Sequence, residues 1–293
     1  MQRYVTLIWL SLYLLSTMTL AGCGEFNISD AGMFDDVNDL QARVAQGEDI
    51  NFQDMYGDTP LINSVFFGNL ENVQYLLENG ANVQLKNYDG NNSILVWPIL
   101  DKDDDEAILK LLLQYGANIN EKDSANETPL HIAILFGRNK HVSMLVDNGV
   151  DVNVKGVNGM TPVAYVMESK VSENSISMLQ KLIDGGADLN IKDIENQESP
   201  LDDAVYYGKP EFVRILLENG ADPNIRDRFG ETPIFEVCKL KLDTGTQIID
   251  LLLDYGADIN ARDLEGDRVD VLTDCANNSG VLEHLYAKGL KKG

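Results

Sequence analysis

Few side chains in this 293-residue sequence are candidates for chemistry. Three histidines (His131, His141, His284) and three cysteines (Cys23, Cys238, Cys275) are the natural starting points for acid–base, nucleophilic or metal chemistry. An enzyme needs such groups to converge on one site. No Ser or Cys stands at a suggestive spacing from a base, and His141 and His284 are isolated on helical faces. The glycines do not follow the spacing of a phosphate-binding loop. The run Asp101-Lys102-Asp103-Asp104-Asp105-Glu106 brings calcium to mind. It lacks the alternating ligands and central glycine of a calcium loop, and its carboxylates suit the positive end of a following helix dipole. The reading is a non-catalytic chain with no cofactor and no metal.

Composition narrows the partners. The apolar fraction of 44% and charged fraction of 24% are those of a folded protein, but the net charge of −24 is extreme. It repels nucleic acid, whose phosphates need Lys and Arg, and it steers a basic protein surface inward. The charge is spread along the chain and is no acidic tail.

Arg3 is the single charge ahead of a nearly continuous apolar run, Tyr4 to Leu20. Small residues follow, as in a secretory signal. The run is slightly short for a membrane span, which is the alternative. Leu20-Ala21-Gly22-Cys23 resembles the lipobox of bacterial lipoproteins. That resemblance implies cleavage after residue 22, lipid on Cys23 and, with Gly24 rather than Asp next, sorting to the outer membrane facing the periplasm. Residues 23–32 then read as the lipidated end and a short polar tether.

The rest of the chain repeats. GEDIN at Gly47 recurs as GANVQ (Gly80), GANIN (Gly116), GVDVN (Gly149), GADLN (Gly186), GADPN (Gly220) and GADIN (Gly256). The spacings are 33, 36, 33, 37, 34 and 36 residues. About twelve residues after most of these glycines stands Thr59-Pro60, Thr128-Pro129, Thr161-Pro162, Ser199-Pro200 or Thr232-Pro233. A Thr or Ser hydroxyl accepts from free amides at a helix start, and Pro fits the first helical position. Apolar residues on one face follow (Leu61, Val65; Leu130, Ile134), then a second stripe (Val73, Leu76, Leu77; Ile249, Leu252, Leu253). The glycine ends that second helix in the left-handed conformation. Turn-rich segments such as KNYDGN and RDRFGE then suit a hairpin. Each unit reads as helix, turn, helix, hairpin.

This pattern resembles the ankyrin repeat, most closely in TPLHIAILFG at Thr128 to Gly137. The resemblance covers nearly all of residues 33–293 and implies a mainly α solenoid of paired antiparallel helices with protruding hairpin loops. It implies about six full repeats plus capping units, in one elongated array. Asn92-Ser93 replaces Thr-Pro, the last unit reads Asp267-Arg268-Val269, and residues 33–47 supply only a second helix. Atypical end units are what a capped solenoid requires. The resemblance gives His131 a structural role near its helix start.

From the helix-start residue to the terminal glycine the units alternate at 21, 24, 21, 25, 21 and 24 residues. The additions fall near Asp101 to Glu106, Lys170 to Asn174 and Lys239 to Thr246, and share no chemistry. They read as loop drift in a doubled two-repeat unit, with a second binding ridge as the alternative. Cys238 and Cys275 fall at neighbouring positions on the last two first helices. Buried free thiols are the expectation; the alternative is a disulfide clamping the C-terminal cap, which needs Cα atoms within about 7 Å.

Hairpin tips and the outer ends of first helices line the concave face of ankyrin-like arrays. Carried over by position, they are Tyr56, Phe66, Phe67, Tyr88, Leu135, Phe136, Tyr206, Tyr207, Arg228 and Phe229. Exposed aromatics with an Arg have the composition of interaction hot spots, and about half of them are expected to pack between repeats instead. Asp58, Glu127, Glu195, Glu231 and Asp267 give an acidic rim. The sequence therefore reads as a membrane-tethered, monomeric periplasmic module. It binds a protein partner, with a basic surface or a secreted toxin (the immunity-protein version) as specific forms. It touches the membrane through lipid only and binds no nucleic acid. The alternative is an envelope scaffold or structural lipoprotein without a tight partner.

Overall fold

The computed structural model describes residues 27–32, 37–88, 95–100, 106–269, 275 and 277–291. Among these residues every regular element is a helix and none is a strand. The chain divides into two compact units at the step from Asn82 to Val83.

The first unit contains α1 (Ile28–Ala31), α2 (Val37–Ala45), α3 (Pro60–Phe66) and α4 (Leu70–Glu78). Thr59 stands extended before α3, its hydroxyl accepts from the Ile62 amide at 3.1 Å, and Pro60 takes the first turn. Leu61 and Val65 on α3 and Val73, Leu76 and Leu77 on α4 are buried, so both apolar stripes reach the core. Gly80 closes α4 at φ 90°, and the Ala81 amide turns back to the Leu76 carbonyl at 2.9 Å.

The expected tether is corrected at residues 27–32. Asn27 caps α1 in a reciprocal box with Asp30, and Ile28 and Ala31 are buried. The Ser29 hydroxyl donates to the Asp58 carbonyl (2.9 Å), while the Asn63 and Asn69 side chains donate to the carbonyls of Ser29 (3.0 Å) and Gly32 (3.1 Å). α1 lies against α2 and α3. It serves as a one-turn first helix for α2, which is therefore not a second helix standing alone. Two apolar residues and three long-range hydrogen bonds outweigh the polar composition of the segment.

The second unit contains α5 (Val96–Leu100), α6 (Glu106–Gln114), α7 (Pro129–Leu135), α8 (Asn139–Asp147), α9 (Pro162–Glu168) and α10 (Glu173–Asp184). α11 (Pro200–Tyr206), α12 (Pro210–Glu218), a 3-10 helix (Pro233–Lys239), α13 (Leu242–Asp254) and α14 (Ser279–Lys288) follow. First helices stack in order: α5 on α7, α7 on α9, α9 on α11, and α11 on the 3-10 helix. Second helices pair alongside them, α8 on α10, α12 on α13 and α13 on α14. The additions at two junctions go into longer second helices: α10 has 12 residues and α13 has 13, against 9 in α8 and α12. The junction at 101–105 lies outside the described residues.

Two ladders tie successive repeats and explain recurring residues. The Asn of the glycine motif clasps the next unit. Asn224 Oδ1 accepts from the Asp258 amide (2.7 Å) and its Nδ2 donates to the Gly256 carbonyl (2.9 Å). Asn153 and Asn190 bind Asp188 with Gly186 and Asp222 with Gly220 in the same way. Two residues on, a cation donates to the carbonyl of its own counterpart: Lys122 to Lys155 (2.7 Å), Lys155 to Lys192 (2.9 Å), Lys192 to Arg226 (2.5 Å) and Arg226 to Arg262 (2.6 Å).

Cys238 and Cys275 are joined in a disulfide with Cα atoms 4.8 Å apart. Both are buried as expected, but the expectation of free thiols is corrected. Stacked helices bring neighbouring positions face to face.

Candidate protein-binding face

Most fingers between repeats are closed by one carboxylate. Asp227 Oδ1 accepts from the amides of Phe229 (2.8 Å) and Glu231 (2.9 Å), closing the tip into a turn. Asp54, Asp123 and Asp263 do the same for their own fingers. In the second unit the tips also bond to one another. The amide of Ile194 donates to the Asn158 carbonyl, that of Arg228 to Asn196 and that of Leu264 to Phe229, each at 2.9 Å. The result is a pre-ordered row of tips, which lowers the ordering cost of binding.

Two fingers carry another residue at the Asp position, Asn87 and Gly156. At Gly156, Glu127 from the preceding finger serves instead. Its carboxylate accepts from the Val157 amide (3.3 Å) and from the Tyr165 hydroxyl. A Cβ on residue 156 would meet Glu127 Oε2 at 2.8 Å and His131 Nε2 at 3.0 Å, so glycine is what lets them approach. His131 is fully buried, its Nδ1 accepts from the Thr128 amide at 3.2 Å, and its ring lies tilted against that of Tyr165 with centroids 4.9 Å apart. Burial holds its pKa down at about 4, against the pull of the Met160 and Val154 carbonyls. His131 is a neutral structural residue. Burial also raises the Glu127 carboxyl, which the Tyr165 hydroxyl partly offsets.

The sequence-derived face residues divide between the two units. In the first, Tyr56 and Phe67 are exposed and Phe66 is half-buried, with the two Phe rings edge to face at 5.0 Å. In the second, Tyr88, Leu135, Phe136, Tyr206, Tyr207, Arg228 and Phe229 are all exposed. Sideways packing between repeats therefore claims fewer of these residues than the half expected. The Tyr206 and Tyr207 rings meet edge to face at 5.2 Å. Lys209 Nζ lies 4.7 Å from the Tyr207 centroid and Lys239 Nζ 5.7 Å from that of Tyr206. The Arg228 guanidinium covers Phe229 at 4.9 Å while donating to the Glu195 carbonyl (3.0 Å). Cys23 lies outside the described residues.

Sequence reasoning missed three tips. Met55 in the first unit and Ile194 and Leu264 in the second are 79%, 65% and 77% exposed. Each directly follows its finger Asp, and that register was the available signal. Two proposed rim residues are corrected: Asp58 and Glu127 are buried, because finger and interfinger hydrogen bonds draw them in. Glu195 and Asp267 are exposed and Glu231 is half-buried. On α11, burial and then Glu198, Asp202, Asp193 and Glu168 push Asp203 up to about 8, so it adds no charge to this rim near neutral pH. Asp202 rises to about 7 through burial, opposed by hydrogen bonds from Ser199.

Among the described residues no group of three or more His, Cys, Asp or Glu is placed to hold a metal, and no helix is long and apolar enough to cross a membrane. Curated relatives include the putative palmitoyltransferase ZDHHC13 of Danio rerio, 27% identical over 210 residues (72% of this chain, 32% of that protein). The putative ankyrin repeat protein L371 of Acanthamoeba polyphaga mimivirus is 29% identical over 171 residues (58% and 21%). Human ankyrin repeat and SOCS box protein 6 is 34% identical over 129 residues (42% and 30%). The matches thus span about a third or less of each relative. The solved ankyrin repeat domain of Bcl-3 shares the fold, with a TM-score of 0.67 at 23% identity over 78% of this chain and 99% of that one. The family model for ankyrin repeats in three copies matches residues 28–123, 99–193, 167–263 and 201–291. With that match running through both units, the chain belongs to the ankyrin-repeat family, an all-helical scaffold whose repeats serve as protein–protein interaction modules.

Proposed function

We propose that this module is a periplasm-facing outer-membrane lipoprotein that holds a basic protein partner on the face formed by first-helix ends and finger tips. The carrying observation is the exposed Tyr206–Tyr207 pair. Neither ring is needed for the core, which Leu201, Ala204 and Val205 of the same helix fill. Large aromatics left at the surface of a rigid helix are the composition of binding hot spots. The net charge of −24 and the exposed Glu195 and Asp267 favour a cationic partner surface. Cys23 is the proposed lipid attachment point, and a partner toxin to be neutralised at the membrane is the specific form of this reading.

The test is affinity capture from envelope extracts with the wild-type chain and with Tyr206→Ala/Tyr207→Ala. A stoichiometric basic protein is expected with the wild type, reduced at least about tenfold in the variant, whose helical circular dichroism stays unchanged. Equal capture by both chains overturns the assignment of this face.

A further inference from the structure

We propose that the Cys238–Cys275 disulfide is a structural staple between the 3-10 helix and the repeat that follows it, and that the chain matures in an oxidising compartment. The two residues are 37 apart in sequence, 3% and 0% exposed, and their Cα separation of 4.8 Å lies within the range a disulfide spans without backbone movement.

The staple sits at a junction between two irregular units. The last unit lacks the Thr-Pro start, reading Asp267-Arg268-Val269. The segment it packs on is a 3-10 helix, and Thr232 before it makes no side-chain cap hydrogen bond. What remains is polar and apolar docking. Asn278 Nδ2 donates to the carbonyls of Cys238 (3.1 Å) and Leu240 (2.7 Å), and Val281 and Leu285 of α14 are buried. The covalent bond joins the 3-10 helix to the start of this segment and so restores a tie that the missing caps leave out.

Formation of the bond removes two protons and two electrons from the two thiols. A disulfide-bearing thiol oxidoreductase accepts them by exchange. One cysteine thiolate attacks its disulfide, the second displaces the mixed disulfide, and the donor leaves as a dithiol. A reducing cytosol keeps such pairs as thiols, whereas secreted and periplasmic chains retain them. Burial then shields the finished bond from exchange. This compartment assignment agrees with the reading of Cys23 but rests on different residues.

The full chain, recovered from an oxidising compartment, is denatured with an alkylating reagent, with and without prior reduction, and weighed. Alkylation of Cys238 and Cys275 only after reduction is expected; both alkylated without reductant overturns the proposal. The same masses report lipid on Cys23. A bridged chain without lipid refutes the anchor and not the staple, and a lipidated chain with two free thiols does the reverse. Hydrogen exchange then compares wild type with Cys238→Ala/Cys275→Ala. Protection of α14 should fall at least about tenfold while α7 and α8 keep theirs. Undiminished protection of α14 overturns the staple role.

Discussion

His131 is buried and Asp203 half-buried, and they make stability depend on pH in opposite ways. An aspartate titrates near 3.9 in an unfolded chain, and Asp203 is raised to about 8. Between those values the folded chain holds a proton that the unfolded chain has released, so stability falls as pH rises through that window. His131 is lowered to about 4 from an unfolded value near 6.5, so its contribution falls as pH drops from about 6.5 to 4. Asp203→Asn removes the first effect alone. The variant should gain stability over wild type, and by about 3 kcal/mol more at pH 8 than at pH 5. Urea unfolding at both pH values measures this, and an equal gain at the two refutes it.

At the scale of elements, the repeats are held in register by side chains that the helices themselves do not require. Asn224 lies outside any helix and is exposed, yet it satisfies an amide and a carbonyl of the next repeat at 2.7 and 2.9 Å. Asn224→Ala should cost about 1 kcal/mol in denaturant unfolding, since two modest hydrogen bonds are lost in partial contact with water. Hydrogen exchange should rise first at residues 256–258. Loss spread evenly over the second unit would mean that the clasp is not local. The departure at Gly156 follows the same logic. Glu127 replaces the absent aspartate from the neighbouring finger, and the substitution draws Tyr165 into a fixed position.

For the whole molecule the dominant quantity is the charge of −24. Like charges at this density repel in the folded state, and salt screens them over about 10 Å at 0.1 M. Raising sodium chloride from on the order of 10 mM to 0.3 M should therefore raise the thermal midpoint and slow association with a basic partner. Differential scanning calorimetry and stopped-flow mixing with the captured partner read the two effects. A midpoint that falls with salt would show that ion pairs such as Lys288–Asp250 outweigh the repulsion.

The helices, their pairing and the turn positions were legible along the chain. Those signals are local: a hydroxyl at Thr59 or Thr161, a proline after it, an apolar stripe, and a glycine such as Gly220 at φ 94°. Each acts across a few residues, so each can be read in order along the chain. Exposure at Tyr206, Tyr207 and Phe229 was legible for the same reason, because register within a repeat fixes which side a residue faces. Only the tertiary structure decided the packing of Ile28–Ala31, too short for any periodicity to show. It also decided the burial of Asp58 and Glu127, the cation ladder from Lys122 to Arg262, and the bond between Cys238 and Cys275. These rest on contacts between residues about 30 to 40 apart, where small shifts in helix stacking determine which groups meet.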